Sequence, residues 1–208
     1  MKIVCISDTH GQHHGLELPE GDLLLHAGDV STRGRRSQVE DFLQWFSAQA
    51  HPHKVMIAGN HDYFFERATP AVVQEVLPSN VHYLNDSGIQ LEGINIWGSP
   101  VQPWFYDWAF NRHRGDDIRK HWDLIPDNTD VLLVHGPPAH TLDQTVHRHN
   151  VGCEDLRAAV ERVQPTLCVF GHIHEDYGMM VRGETQFVNA SVLNVHYERV
   201  NRPISVEL

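Results

Sequence analysis

Short apolar runs alternate with polar, glycine-bearing segments along the first part of the chain. Lys2–Ser7 reads as a buried strand, because a β-branched run fills it and polar residues stop it. Asp22–Ala27 and Lys54–Ala58 repeat that form. Between them Val39, Phe42, Leu43 and Phe46 recur at helical spacing behind Ser37-x-x-Glu40, the sequence form of a capping box, and Pro52 sets the limit of that helix. Thr69-Pro70 supplies an N-cap and a first helical position, opening a short helix to Leu77. Val81–Leu84 is a short strand. Ile89–Leu91 and Ile94–Trp97 flank Glu92-Gly93 as a hairpin. Asp116–Trp122 is helical and Asp130–Val134 a strand. Glu154–Val163 sets Leu156, Ala159, Val160 and Val163 on one helical face, and Pro165 separates it from the strand Thr166–Phe170. Met179–Val181 and Thr185–Val188 form a second hairpin around Arg182-Gly183-Glu184, and Ile204–Leu208 is an edge strand. Strands that alternate with helices early and pair as hairpins later predict an α/β protein with mixed sheets.

Composition adds bounds. The 208 residues predict a single domain, 1–208, long enough to bury a core. Hydrophobic content of 41% and charged content of 21% suit a soluble globular protein. The longest apolar stretches, such as Val131–Val134, are far too short for a bilayer, so no membrane association is expected. The Ile3–Ile6 run lacks the length and cleavage site of a signal peptide, which points to a cytoplasmic location. Cys5, Cys153 and Cys168 are scattered without a CxxC spacing, against both a disulfide framework and a thiolate zinc site. Cys5 and Cys168 read as core residues and Cys153 as a helix start. A net charge of −11 argues against extended nucleic acid as a partner, although bound cations would let a small nucleotide approach. Histidine is abundant, at 17 residues. His13, His14, His51, His53, His113, His121, His147 and His149 fall in polar stretches and are expected mostly in solvent.

The chemistry gathers in five short segments: Asp8-Thr9-His10, Gly28-Asp29, Gly59-Asn60-His61-Asp62, His135-Gly136 and Gly171-His172-Ile173-His174. Singly, each has an ordinary reading as a turn or a cap. Together they differ from chance, because each directly follows a strand-like apolar run. Alternate residues of an extended segment face one side, so His172 and His174 can serve one site. Mixed oxygen and nitrogen donors suit Mn²⁺, Fe²⁺, Zn²⁺ or Mg²⁺.

This order of motifs resembles the calcineurin-like metallophosphoesterase superfamily, and the match runs from Asp8 to His174. The resemblance implies a four-layer α/β/β/α sandwich with two mixed β-sheets. It implies two divalent metal ions, Mn²⁺ foremost, with Fe, Zn or Mg as alternatives. Asp8, His10 and His174 would bind the first metal, Asn60, His135 and His172 the second, and Asp29 would bridge them. His61 would stand beside the metals as the catalytic acid. Two such cations ~3.5–4 Å apart share a bridging hydroxide that attacks phosphorus in line.

The long aromatic segment from Trp97 to Gly115 resembles the corresponding loop of the metallophosphoesterase-domain-containing (MPPED, 239FB-like) branch, as do His135-Gly136-Pro137-Pro138 and Gly171-His172-Ile173-His174-Glu175. That branch implies a phosphodiesterase acting on cyclic nucleotides or related small phosphodiesters. Trp104 could stack on a base, and Asn111, Arg112 and Arg114 could contact base or phosphate. The aromatic residues also suit packing of the loop, and Arg33 suits either phosphate or the surface. Asp29 is followed by Val30-Ser31-Thr32-Arg33-Gly34, which departs from the GDxxDRG of the Ser/Thr protein phosphatases. Two alternatives stay open: a phosphomonoesterase or protein phosphatase of the same superfamily, and a catalytically silent scaffold.

Overall fold

The strand-like runs settle into two sheets that face each other across a shared core. The computed structural model describes all 208 residues. The chain begins with β1 (Lys2–Ile6), β2 (Leu23–His26), α1 (Arg36–Ser47), β3 (His53–Met56), α2 (Tyr63–Arg67), α3 (Pro70–Val76) and β4 (His82–Tyr83). It continues with β5 (Ser87–Leu91), β6 (Ile94–Ser99), β7 (Gln102–Pro103), β8 (Asn111–Arg112), α4 (Asp116–Trp122), β9 (Val131–Val134), α5 (Glu154–Val163) and β10 (Leu167–Phe170). A turn of 3-10 helix over His174–Asp176 then leads to β11 (Gly178–Arg182), β12 (Thr185–Asn189) and β13 (Ile204–Glu207).

The first sheet has the order β13-β1-β2-β3-β4. Its strands β1 to β4 run parallel, and β13 closes the edge antiparallel to β1. The second has the order β11-β12-β10-β9-β6-β5. There β12, β10, β9 and β6 are parallel, and the hairpin partners β11 and β5 are antiparallel at the two edges. Strand alternation divides the core into layers. Ile3, Cys5, Leu23, Leu25 and Val55 face the second sheet and meet Val131, Leu133, Leu167 and Val169. The residues between them, Val4, Ile6, Leu24 and Met56, pack under Val39, Phe42, Leu43 and Phe46 of α1. Leu132, Val134, Cys168 and Phe170 pack under Ile118 and Trp122 of α4 and Leu156 and Val160 of α5. Each fully buried aliphatic side chain of this kind stabilises the fold by roughly 1.5–3 kcal/mol. The result is the expected α/β/β/α sandwich of four layers.

Local details match or depart for identifiable reasons. Glu92 and Gly93 both take positive φ, 48° and 84°, as a two-residue hairpin turn requires. Thr69 caps α3 by accepting from the Val72 N–H, and the Cys153 sulfur accepts from the Leu156 N–H at the start of α5. α1, however, starts at Arg36 rather than after Ser37. The Gln38 side chain accepts from the Arg35 N–H at 3.3 Å, while Glu40 pairs with Arg36 at 2.8 Å. The aromatic loop contains a small parallel ribbon, β7 with β8, that no periodicity announced. Two histidines expected in solvent, His13 and His51, are buried. His51 finds the Pro19 carbonyl at 3.0 Å.

Candidate metal centre

Parallel strands put their carboxyl ends on one side of a sheet, and loops leaving those ends form the usual site of α/β proteins. Asp8 follows β1, Asp29 follows β2, and Asn60 follows β3, all in the first sheet. His135 follows β9 and His172 follows β10 in the second, and His174 opens the 3-10 turn. The loops after β1 and β2 extend the strand pairing: the Asp8, His10 and Gly11 N–H groups donate to the carbonyls of Gly28, Asp29 and Val30, each at 3.0 Å. Asp8, His10, Asp29 and His172 all hold positive φ, at 54°, 43°, 57° and 68°. Non-glycine residues there cost roughly 1–3 kcal/mol each, and such strain persists only where surrounding bonds over-determine it. Close approach adds a second constraint. A Cβ on Gly171 would lie 2.0 Å from an Asp8 carboxylate oxygen, and one on Gly59 would lie 2.3 Å from Asp29 Oδ1.

Asp8 and Asp29 each use one oxygen for the protein and leave the other facing the centre. Asp8 Oδ2 accepts from the His172 N–H at 3.0 Å and the Ser191 hydroxyl at 2.8 Å. Its Oδ1 is buried without a hydrogen-bond partner and lies 3.4 Å from His174 Nε2. Asp29 Oδ1 accepts from the His61 N–H at 2.8 Å. Its Oδ2 lies between His10 Nε2 at 3.6 Å and His135 Nε2 at 3.5 Å. His135 Nδ1–H donates to the Ala27 carbonyl at 2.9 Å and His174 Nδ1–H to that of Asn194 at 3.0 Å. Both bonds direct Nε2 inward, the arrangement by which histidine ligands are oriented. Asn60 Oδ1 stands 2.9 Å from His135 Nε2, and both nitrogens of the buried His10 ring lack partners. Metal-ligating atoms thus converge in three overlapping groups, Asp8–His10–His174, His10–Asp29–His61 and Asp29–His135–His172. Orphaned buried donors of this kind fit two divalent cations, with Asp29 shared by two of the groups.

Charge in the metal-free protein follows from this crowding. Burial alone would raise the Asp8 and Asp29 carboxyls, but the histidines around them hold both well below the usual carboxylate range. Burial pushes His10 down to about 4 and His172 to about 3, so both imidazoles are neutral at neutral pH. Burial also opposes charge on His135 and His174, yet the neighbouring Asp29 and Asp8 carboxylates outweigh it and raise each to about 9.

His61 lies at the edge of this cluster. Its Nδ1–H donates to the Thr32 carbonyl at 2.8 Å, and Nε2 is 4.0 Å from Asp29 Oδ2, the longest of the three imidazole approaches to that oxygen. The indole of Trp108 stacks on the ring at 4.2 Å. Tyr197 packs edge-on against His10 at 5.0 Å and against His174 at 5.4 Å. Two further residues brace the centre without facing it. Asp62 accepts from the N–H groups of Val30, Ser31 and Gly59 and from the Ser31 hydroxyl, tying the loops after β2 and β3 together. Burial, then Asp29, pushes its pKa up to about 6, still below neutrality. His26, pushed down by burial to about 3, bonds Thr9 at 3.1 Å and accepts from the Gly28 N–H at 3.2 Å. Asp62 had a signal in its motif and Trp108 in the aromatic loop. Tyr197 had none, since it lies beside no motif, and His26, although two residues before Gly28, sits inside an apolar strand-like run where nothing marks its partners.

A cleft of about 530 Å³ opens over the centre, lined by His10, Asp29, Asn60, His61, His172 and His174 together with Trp104, Phe105, Trp108 and Arg114. Of the four residues expected to meet substrate, Trp104 and Arg114 line it, whereas Asn111 and Arg112 do not. The Asn111 amide donates to the Phe105 and Tyr106 carbonyls and so closes the aromatic loop on itself. Arg112 is held by His121 and by the Asn111 carbonyl. The Arg114 guanidinium donates to the Val151 and Gly152 carbonyls, both at 2.8 Å.

A four-layer sandwich with this donor set at its strand ends is a metal-dependent phosphoesterase. The family model for calcineurin-like phosphoesterases matches residues 1–176, and the chain belongs to that family. It is 41% identical over 230 aligned residues to metallophosphoesterase domain-containing protein 1 of Homo sapiens, spanning 100% of this chain and 71% of that protein. UPF0046 protein K07C11.7 of Caenorhabditis elegans is 36% identical, over 98% of this chain and 74% of its own length. Among solved structures, the phosphopantetheinyl hydrolase of Mycobacterium tuberculosis shares the fold with a TM-score of 0.61 at 15% identity, covering 94% of this chain and 90% of that one. No helix is long and apolar enough to cross a membrane.

Proposed function

We propose that the protein is a phosphodiesterase for small diesters, cyclic nucleotides foremost, with Mn²⁺ as the preferred metal. The observation that carries this reading is the composition of the cleft. It is the size of a small-ligand pocket, and aromatic rings stand directly beside the metal ligands. Trp104 is half exposed and offers a face on which a base can stack. The one arginine on the wall, Arg114, already spends donors on backbone carbonyls. A singly charged diester needs less neutralisation there than a doubly charged monoester.

The metals, when bound, polarise the phosphoryl oxygens and lower the pKa of water. The chain's own residues do the rest. Asp8, Asp29 and the five other ligand residues fix the donor positions in advance, so little reorganisation accompanies the reaction. His61 keeps its Nδ1–H on Thr32, which aims Nε2 into the site. In its protonated form Nε2–H gives its proton to the leaving oxygen as the ester P–O bond breaks. Trp108, stacked on the ring at 4.2 Å, holds it in that orientation.

Turnover of 2′,3′- and 3′,5′-cyclic nucleotides with Mn²⁺ tests the substrate class. Preferential opening of one ring type supports it, and flat rates across the panel sink it. One observation favours a monoester instead: an adjoining hollow, shared with His10 and His61, carries Arg33 and Arg67. Comparison of bis-p-nitrophenyl phosphate with the monoester separates the two readings, since Arg33→Ala and Arg67→Ala lower only monoester turnover if that hollow binds a dianion.

A further inference from the structure

Apart from the two-metal centre, three more ligating side chains converge where the loop after β1 meets α1. They are His13, His14 and Asp41, whose ligand atoms lie close enough to share one ion. Their exposures differ in a way that matters. The His13 side chain is 0% exposed, whereas those of His14 and Asp41 are 67% and 52% exposed. A buried imidazole ordinarily finds a hydrogen-bond partner, yet neither nitrogen of His13 has one. The ring is fixed among Phe42 at 5.4 Å, Trp45 at 5.2 Å and His14 at 4.4 Å, with Nε2 turned toward the Asp41 carboxylate.

The spacing around that carboxylate is compatible with a coordination shell. His13 Nε2 lies 3.1 Å from Asp41 Oδ2 without making a hydrogen bond to it. His14 Nε2 lies 3.3 Å from the same oxygen and 3.2 Å from Oδ1, close enough to hydrogen-bond while no ion is present. Tetrahedral zinc with bonds of ~2.0 Å to nitrogen and oxygen sets its donor atoms about 3.3 Å apart. Each imidazole stands near that spacing from the carboxylate, all three ligand atoms lie within 4.8 Å of one another, and the exposed side leaves a fourth position for water. The scaffold is already held on both flanks. Asp41 sits on α1 between the buried Val39 and Phe42, and Arg199 donates to the Gln12 and His14 carbonyls of the loop at 2.9 Å and 2.7 Å.

We propose that His13, His14 and Asp41 form a separate site for one borderline divalent cation, Zn²⁺ foremost, which clamps the loop carrying His10 to helix α1. Two imidazoles with a carboxylate select such an ion over Mg²⁺ or Ca²⁺, which prefer all-oxygen shells.

The test counts metal. The full chain is saturated with Zn²⁺, passed through a desalting column and assayed for zinc per chain, beside His14→Ala and Asp41→Asn. Both substitutions fall on exposed side chains of different elements, so the fold and the turnover of bis-p-nitrophenyl phosphate are expected to stay as in the wild type. Each variant is expected to hold one zinc fewer than the wild type, and added Zn²⁺ is expected to raise the melting temperature less in either. Equal zinc content in all three proteins overturns the proposal. Loss in only one variant overturns the three-ligand assignment.

Discussion

Asp29 divides its work between two oxygens, one bonded to the His61 N–H and one left between His10 and His135. Removing that carboxylate therefore disturbs two groups of ligands at once. Asp29→Ala is expected to lose both metals and all activity. His61→Ala is expected to keep its metals and lose about 10²–10⁴-fold in turnover, the usual contribution of a general acid. Metal content measured beside turnover checks this, and equal metal loss in the two variants contradicts the division of roles. A pH dependence belongs at this scale too. His135 and His174, raised to about 9, carry protons at neutral pH in the metal-free protein, and metal must displace them. Affinity for Mn²⁺ is thus expected to climb as pH rises toward about 9 and to level off above it. Isothermal titration across that range checks the sign, and a flat profile refutes it. In the absence of metal the same two shifts stabilise the fold below the ordinary histidine value, and that contribution fades as pH rises through about 9.

Elements hold these residues in place through contacts that are not local. Asp62 gathers three backbone N–H groups and one hydroxyl from two loops, so Asp62→Ala leaves buried donors without an acceptor. A loss on the order of 3 kcal/mol or more is expected, visible in urea unfolding. A change below 1 kcal/mol would remove Asp62 from the bracing role. The strand runs, α4, α5 and both hairpins were legible because short apolar runs and helical faces leave local patterns. The motifs were legible because each follows such a run. The β7–β8 ribbon was not, since its strands are two residues each and carry no period. Asn111 and Arg112 illustrate the other limit: polar residues in an aromatic loop look alike in sequence whether they bond substrate or the loop's own carbonyls. Nor could spacing show that Tyr197 returns to pack against His10 and His174, because that contact depends on how the segment before β13 folds back.

At the scale of the whole molecule, the centre exists only where two sheets meet. Asp8, Asp29 and Asn60 come from one sheet, and His135 and His172 from the other. Their relative position therefore depends on the inter-sheet core of Ile3, Leu25, Leu133 and Val169. Leu133→Ala is expected to cost about 2–5 kcal/mol, as for other large-to-small core changes, and to weaken metal binding although Leu133 touches no ligand. Unchanged metal affinity in a destabilised variant would uncouple the core from the site. The most direct test of the central claim is hydrolysis of bis-p-nitrophenyl phosphate by protein stripped with chelator and then resupplied with Mn²⁺. The account predicts no turnover after stripping and recovery that saturates near two metals per chain, with Asp29→Ala silent throughout. Turnover indifferent to chelation, or none of diester or monoester with Mn²⁺, Fe²⁺, Zn²⁺ or Mg²⁺, would contradict it.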